Sequence, residues 1–259
     1  MKTYKIPNIK EILKPRWKHE PGFGMNKQFT LHKRESFQQS TAPEDKLLLK
    51  KLGIRKGGKV LAIAGYYASW ASEIAKLGAR VDYSDISSSL VKWSRDKYGK
   101  LFGKYILSGY ELIPNKEKEY DWTFTFEACG GGSGLPIAYL RSLLNRKGGI
   151  LVYHQRYGKA RVKMGSKPKN YPLIVKTMAK VYGAEYKTKK IRVRAHRFEK
   201  PIKMITHNVF IIKTNEQARK LARQDIKALF TNKFNIESLE RLNKFSEAIA
   251  DDYLKEIRR

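Results

Sequence analysis

One cysteine in 259 residues, Cys129, leaves no partner for a disulfide and no ligand set for a zinc cluster. The five histidines are scattered, and no His or Cys pair has metal-ligand spacing. No run approaches the roughly 18 apolar residues of a membrane span, and no apolar leader follows Met1. The sequence therefore predicts a soluble, cytoplasmic chain without a metal centre. Internal repeats and long low-complexity segments are missing too. Acidic residues are scarce, 24 Asp+Glu against 54 Lys+Arg, for a formal net charge of +30. An ion-pair surface of the thermophile kind raises both signs together, so this imbalance implies a polyanionic partner.

The excess is segregated. Met1–Lys59 holds 15 basic and 5 acidic residues, and Val60–Val152 holds 12 and 9. Tyr153–Lys203 holds 16 and 2, and Met204–Arg259 holds 11 and 8. A nearly neutral centre is thus flanked by a basic arm and a strongly basic later segment. Solubility alone does not require that arrangement, although a solvated basic face is its simplest alternative.

Residues 1–45 form a basic arm broken by Pro7, Pro15, Pro21, Gly22 and Gly24, with a short helix possible at Ile9–Leu13. Beyond it, Glu44–Leu52 predicts a helix ended by Gly53. Lys59–Ala64 has the apolar run of a strand buried on both faces. Ser69 is placed to cap a helix over Trp70–Leu77, Arg80–Ser84 is the next strand, and Ser87–Tyr98 the next helix. Strands follow at Lys104–Leu107, Asp121–Phe126 and Ile150–His154, with a helix over Leu135–Leu144 and a turn at Arg146–Gly149. Such alternation predicts βαβ units and a parallel sheet. Tyr171–Tyr182 is a helix, and Ile191–Phe198 and His207–Lys213 are strands eight residues apart, suiting an antiparallel pair. Thr214 with Gln217 has the spacing of a capping box for a helix through Phe230. Ile236, Leu239, Leu242, Phe245 and Ile249 mark a last amphipathic helix packed on the domain. The division expected is an arm (1–45), an α/β domain (46–214) and a helical extension (215–259).

Gly58–Ser87, GKVLAIAGYYASWASEIAKLGARVDYSDIS, reads as strand, loop, helix and strand, ending in an exposed acid, Asp85. With YDWTFTFEA, RSLLNRKGGILVYH and the two late strands, it resembles class I S-adenosylmethionine-dependent methyltransferases over about Leu49–Lys213. The resemblance implies a doubly wound, mostly parallel seven-stranded sheet with a reversed final hairpin. It implies S-adenosylmethionine as cofactor, with Asp85 accepting the ribose hydroxyls and Ile86 against the adenine. The alternative for Asp85 is a helix cap. Ala64, Gly65, Tyr66 and Tyr67 would form the cofactor loop, and Gly109, Tyr110 and Glu127 would complete the site. Family glycines are replaced here by Ala64, Tyr66 and Ala68, and the family's first-strand acid by Ala62. Either the cofactor sits in a modified pocket, or the pocket has closed and the fold serves as a scaffold.

The Gly-rich stretch after Glu127 is either a lid or a plain connector. No Asn/Asp-Pro-Pro-aromatic motif of amino-directed methyltransferases occurs, and Cys129 lacks the second cysteine of the carbon-5 pyrimidine scheme. His154 and Gln155 are candidates for substrate contact, and no general base stands out. Directly after the fifth strand come Arg156, Lys159, Arg161, Lys163, Lys167 and Lys169, with Tyr157 and Tyr171 available to stack on bases. Arg192, Arg194 and Arg197 add a basic strand. The function expected is RNA methylation, on tRNA or rRNA. Its alternative is a catalytically inactive RNA-binding or assembly protein.

Overall fold

Seven strands form one sheet in a computed structural model that describes residues 47–63, 68–85, 88–108, 116–126, 135–154, 171–197, 200–231 and 233–244. In chain order the elements begin with α1 (Leu48–Leu52), β1 (Lys59–Ile63), α2 (Ser69–Lys76), β2 (Arg80–Asp85) and α3 (Ser88–Tyr98). A 3₁₀ turn (Gly99–Leu101), β3 (Tyr105–Leu107), β4 (Trp122–Phe126), α4 (Leu135–Leu143) and β5 (Gly148–His154) follow. Then come α5 (Tyr171–Tyr182), β6 (Glu185–Arg197), β7 (Lys200–Lys213), α6 (Glu216–Thr231) and a helical stretch over 236–244, here α7. The amino-terminal arm and the residues after 244, with Phe245 and Ile249, lie outside the described residues.

The strand order is β3-β2-β1-β4-β5-β7-β6. β1, β2, β3, β4 and β5 are parallel, and β7 runs antiparallel to both its neighbours. This is the expected doubly wound sheet with its reversed hairpin. Alternate residues feed two cores. Val60, Ala62, Val81, Tyr83, Phe124, Val152 and Val209 pack with α1 and α2 on one face. Leu151, Phe210 and Ile212 pack with α4, α5 and α6 on the other.

Several boundaries differ from expectation, each for a local reason. Ser69 is the first helical residue of α2, and the cap position belongs to Ala68, without a side-chain bond. At α6 the cap is Asn215, whose Oδ1 accepts the Ala218 N–H at 2.8 Å. Thr214 instead donates to the Leu143 carbonyl at 2.8 Å. The Gly148–Gly149 pair is no turn but the start of β5. A Cβ on Gly148, at φ 137°, would collide with the Ile212 carbonyl of β7, and one on Gly149 would meet Ser142 Cβ at 2.6 Å. The glycines let β5 approach both β7 and α4. Asn145 supports this corner, its Nδ2 donating to Thr123 Oγ1 (2.6 Å) and to the Gly148 carbonyl (2.8 Å).

The final hairpin is much longer than its apolar pattern suggested. β6 and β7 are 13 and 14 residues long and are separated by two residues, not eight. β6 is an edge strand, and its first six residues are exposed whichever face they occupy, so hydrophobic alternation does not mark them. In α7 the expected apolar stripe is only partly used: Leu242 is buried, but Ile236 is 73% and Leu239 37% exposed. Polar contacts fasten this helix. Ser238 Oγ and Arg241 donate to the fully buried Asp225 of α6 at 2.6–2.9 Å. Tyr182 of α5 donates its hydroxyl to the same carboxylate at 2.8 Å.

Candidate active site

The chain leaves β1 toward β2 on one side, and later returns to place β4 on β1's other side. That reversal opens a crevice beyond the carboxyl ends of β1 and β4, where ligands of open α/β sheets bind. Ile63, the last residue of β1, pairs with Ser84 and Thr125. Asp85 ends β2 one residue further on, in register with Leu107 of β3.

Asp85 is not the exposed acid expected: it is 5% exposed. It shares the face of Val81 and Tyr83, which pack in the core. Asp85 is the last residue of β2, three positions ahead of Ser88, the first described residue of α3. The Tyr83 hydroxyl pKa is raised well above its ordinary value, chiefly by burial and next by the Asp85 carboxylate. The backbone carbonyl of Asp85 accepts the Ser108 N–H at 3.0 Å, tying the ends of β2 and β3 together.

Across the crevice, Ala68 leads into α2 in a left-handed conformation, φ 60° and ψ 14°. This is the third of the three glycine positions of the resemblance. The backbone has kept a shape that glycine adopts freely, and an L side chain there costs about 1–2 kcal/mol. The buried Ala68 side chain belongs to the core, and its carbonyl accepts the Ser72 N–H at 2.7 Å. Trp70 anchors the start of α2. Its ring stacks on Phe124 of β4 at 5.9 Å and meets His207 of β7 edge-on at 5.6 Å. Ala62, where the family has an acid, is completely buried between Tyr83 and Phe124 in register.

His207 is a residue the sequence did not single out. It is buried, and its register partners are His154 of β5 and Ile191 of β6. No spacing links positions 154 and 207; only the antiparallel pairing makes them neighbours. Past this level β6 and β7 remain paired with each other as far as Arg197 and Lys200, six residues beyond Ile191 on β6. At about 3.3 Å per residue, the ribbon extends roughly 20 Å past the His154–His207 pair.

Ala64, Gly65, Tyr66, Tyr67, Ile86, Gly109, Tyr110, Glu127, Cys129 and Gln155 lie outside the described residues, as do Arg156, Lys159, Arg161, Lys163, Lys167 and Lys169. Arg192 is exposed on β6, and Arg194 and Arg197 lie further along the same strand. Arg192 and Arg194 share a strand face, and a register shift between Ala195 and Arg197 breaks the alternation before Arg197. Among the described residues no cluster of His, Cys, Asp and Glu could hold a metal ion. No described helix is long and apolar enough to cross a membrane.

No protein-family model and no curated protein matches the sequence. Solved structures do match in shape. One, from work on the conversion of a disulfide bond into a thioacetal group during echinomycin biosynthesis, has a TM-score of 0.53 at 15% identity, covering 83% of this chain and 98% of that one. Another is magnesium protoporphyrin IX methyltransferase from Synechocystis PCC 6803 with bound SAH, with a TM-score of 0.50 at 15% identity, covering 81% and 98%. Together with the strand order, these likenesses show the class I S-adenosylmethionine-dependent methyltransferase fold.

Proposed function

We propose that the protein is an S-adenosylmethionine-dependent methyltransferase acting on RNA, tRNA or rRNA. The observation that carries the reading is a buried carboxylate, Asp85, closing β2 beside the topological switch point of this fold. Two features of the crevice fit an adenosyl cofactor. Asp85 is desolvated, so hydrogen bonds from the ribose hydroxyls would be strong. Ala68 holds a glycine-like, left-handed turn at the amino-terminal end of α2, close to where the family's glycine loop meets its helix.

S-adenosylmethionine supplies a methyl group on a sulfonium centre. The chain's residues have the task of orientation. Asp85 would accept hydrogen bonds from the ribose hydroxyls, and Ile86, Gly109 and Tyr110 would hold the adenine. Ala64, Gly65, Tyr66 and Tyr67 would form the cofactor loop, and Glu127 would accept hydrogen bonds from the ammonium of the amino acid portion. Alignment of the acceptor with the sulfonium methyl is the main requirement, so no residue is assigned as acid or base. Arg156, Lys159, Arg161, Lys163, Lys167, Lys169, Arg192, Arg194 and Arg197 neutralise RNA phosphates; the 16-to-2 basic excess of Tyr153–Lys203 supports this.

A second reading, a catalytically inactive RNA-binding or assembly protein, is favoured by Ala62, whose complete burial leaves no carboxylate at the first-strand position. Calorimetry with S-adenosylhomocysteine separates the two. Saturable binding that is strongly weakened by Asp85→Ala supports the enzyme; no binding at millimolar ligand would sink it.

A further inference from the structure

The start of β6 carries cations that the cofactor site does not use. Lys187, Lys189, Lys190 and Arg192 are all exposed, and none has an ion-pair partner among the described residues. The register with β7 is unbroken from Glu185 to Ala195, so the strand alternates regularly. Lys187 and Lys189 therefore stand on one face, with Ile191 and Val193, and Lys190 and Arg192 on the other. Same-face cations are about 7 Å apart. Among the described residues β6 is the last strand of the sheet and bonds β7 alone, so half of its backbone N–H and C=O groups face away from the sheet.

That combination makes a ridge. A row of cations on one face suits a single phosphate strand, whereas a narrow ridge charged on both flanks suits a groove bordered by phosphates on both sides. The wide, shallow minor groove of an RNA helix is such a groove, and its 2′-hydroxyls both donate and accept hydrogen bonds. Resting on the RNA reading above, we infer that β6 seats a double-stranded RNA stem. Lys187 and Lys189 face one backbone, Lys190 and Arg192 face the other, and the strand's outward amides and carbonyls meet the 2′-hydroxyls. The ribbon beyond Ile191 continues the same edge past the carboxyl ends of the strands, toward the crevice.

The test uses the full chain and three fluorescent probes: an RNA hairpin with a stem of about 16 base pairs, the DNA hairpin of the same sequence, and an unpaired RNA of equal length. Binding is measured across a salt series for wild type and for the variant Lys187→Gln, Lys189→Gln, Lys190→Gln, Arg192→Gln. The wild type binds the RNA stem at least tenfold more tightly than either other probe. The variant loses at least tenfold affinity for the stem, and its log–log salt slope is shallower by about 3–4. Its binding of S-adenosylhomocysteine, and its unfolding midpoint, match wild type. An unchanged slope overturns the proposal, and if self-association also rises the lysines serve only to guard a sheet edge. Equal loss on stem and unpaired RNA overturns the choice of a stem. Absence of wild-type binding to every RNA removes the RNA reading itself, whereas binding that survives in the variant removes only the role of β6.

Discussion

The cations around β4, α4 and α6 differ in kind from those of β6. Lys118 and Arg219 reach Glu216, at 3.5 and 2.7 Å, Arg223 pairs with Glu117, and Arg146 lies 3.9 Å from Asp121. Arg241 meets Asp225 at 2.6 Å, where the carboxylate is completely buried. The four described cations of β6 have no such acids. The paired cations of the first region serve the fold; those of the second are available to a partner. Net charge alone, +30 over the chain, conceals that division.

The sharpest way to break the contrast is Asp225→Ala. It strands the Arg241 guanidinium, the Tyr182 hydroxyl and Ser238 together, and removing one partner of a buried pair costs about 3–5 kcal/mol. Denaturant unfolding should show that loss, while the four Gln substitutions in β6 stay within about 0.5 kcal/mol each. Next is Asp85→Ala, which should weaken S-adenosylhomocysteine binding roughly a hundredfold, as expected for two hydrogen bonds to a charged group, with RNA affinity unchanged. The Asp225 cluster also predicts a pH effect. Burial, then the Asp225 carboxylate, raises the Tyr182 pKa far above its ordinary value. The folded state therefore keeps a proton that the unfolded chain releases near pH 10. Stability is constant below that pH and falls above it, by up to about 1.4 kcal/mol per pH unit for this group. Tyr182→Phe should make the decline between pH 10 and 11.5 shallower in urea melts. The smallest effect belongs to Glu73→Gln, which opens the exposed Lys76–Glu73 pair and should cost under about 0.5 kcal/mol.

Much of the sheet was legible because buried parallel strands have a plain signature. Val60, Leu61, Ala62 and Ile63 are apolar on both faces, and Gly53, Gly78 and Gly183 close their helices. Asp85 was legible as the acid at the carboxyl end of β2, but its burial was not, since the packing of Tyr83 depends on Phe102 of a later segment. The first half of β6 was missed because an edge strand need not alternate. Gly148–Gly149 was misread because a close approach to Ile212 leaves the same sequence mark as a turn. His207 was invisible because its neighbours Trp70 and His154 lie far away in sequence.

The ribbon beyond Ile191 and His207 has a consequence for local opening. Within the sheet, β7 is bonded on both sides; past that level, among the described residues, β6 and β7 bond only each other. A lone two-stranded ribbon is marginal in water, so its hydrogen bonds open without unfolding the molecule. Amide protons at 192–197 and 202–206 are expected to exchange with solvent as a separate unit, ahead of those at 207–213, in a hydrogen-exchange experiment. A partner lying along this edge slows that exchange first, so the outer ribbon reports occupancy while the sheet beneath it stays silent.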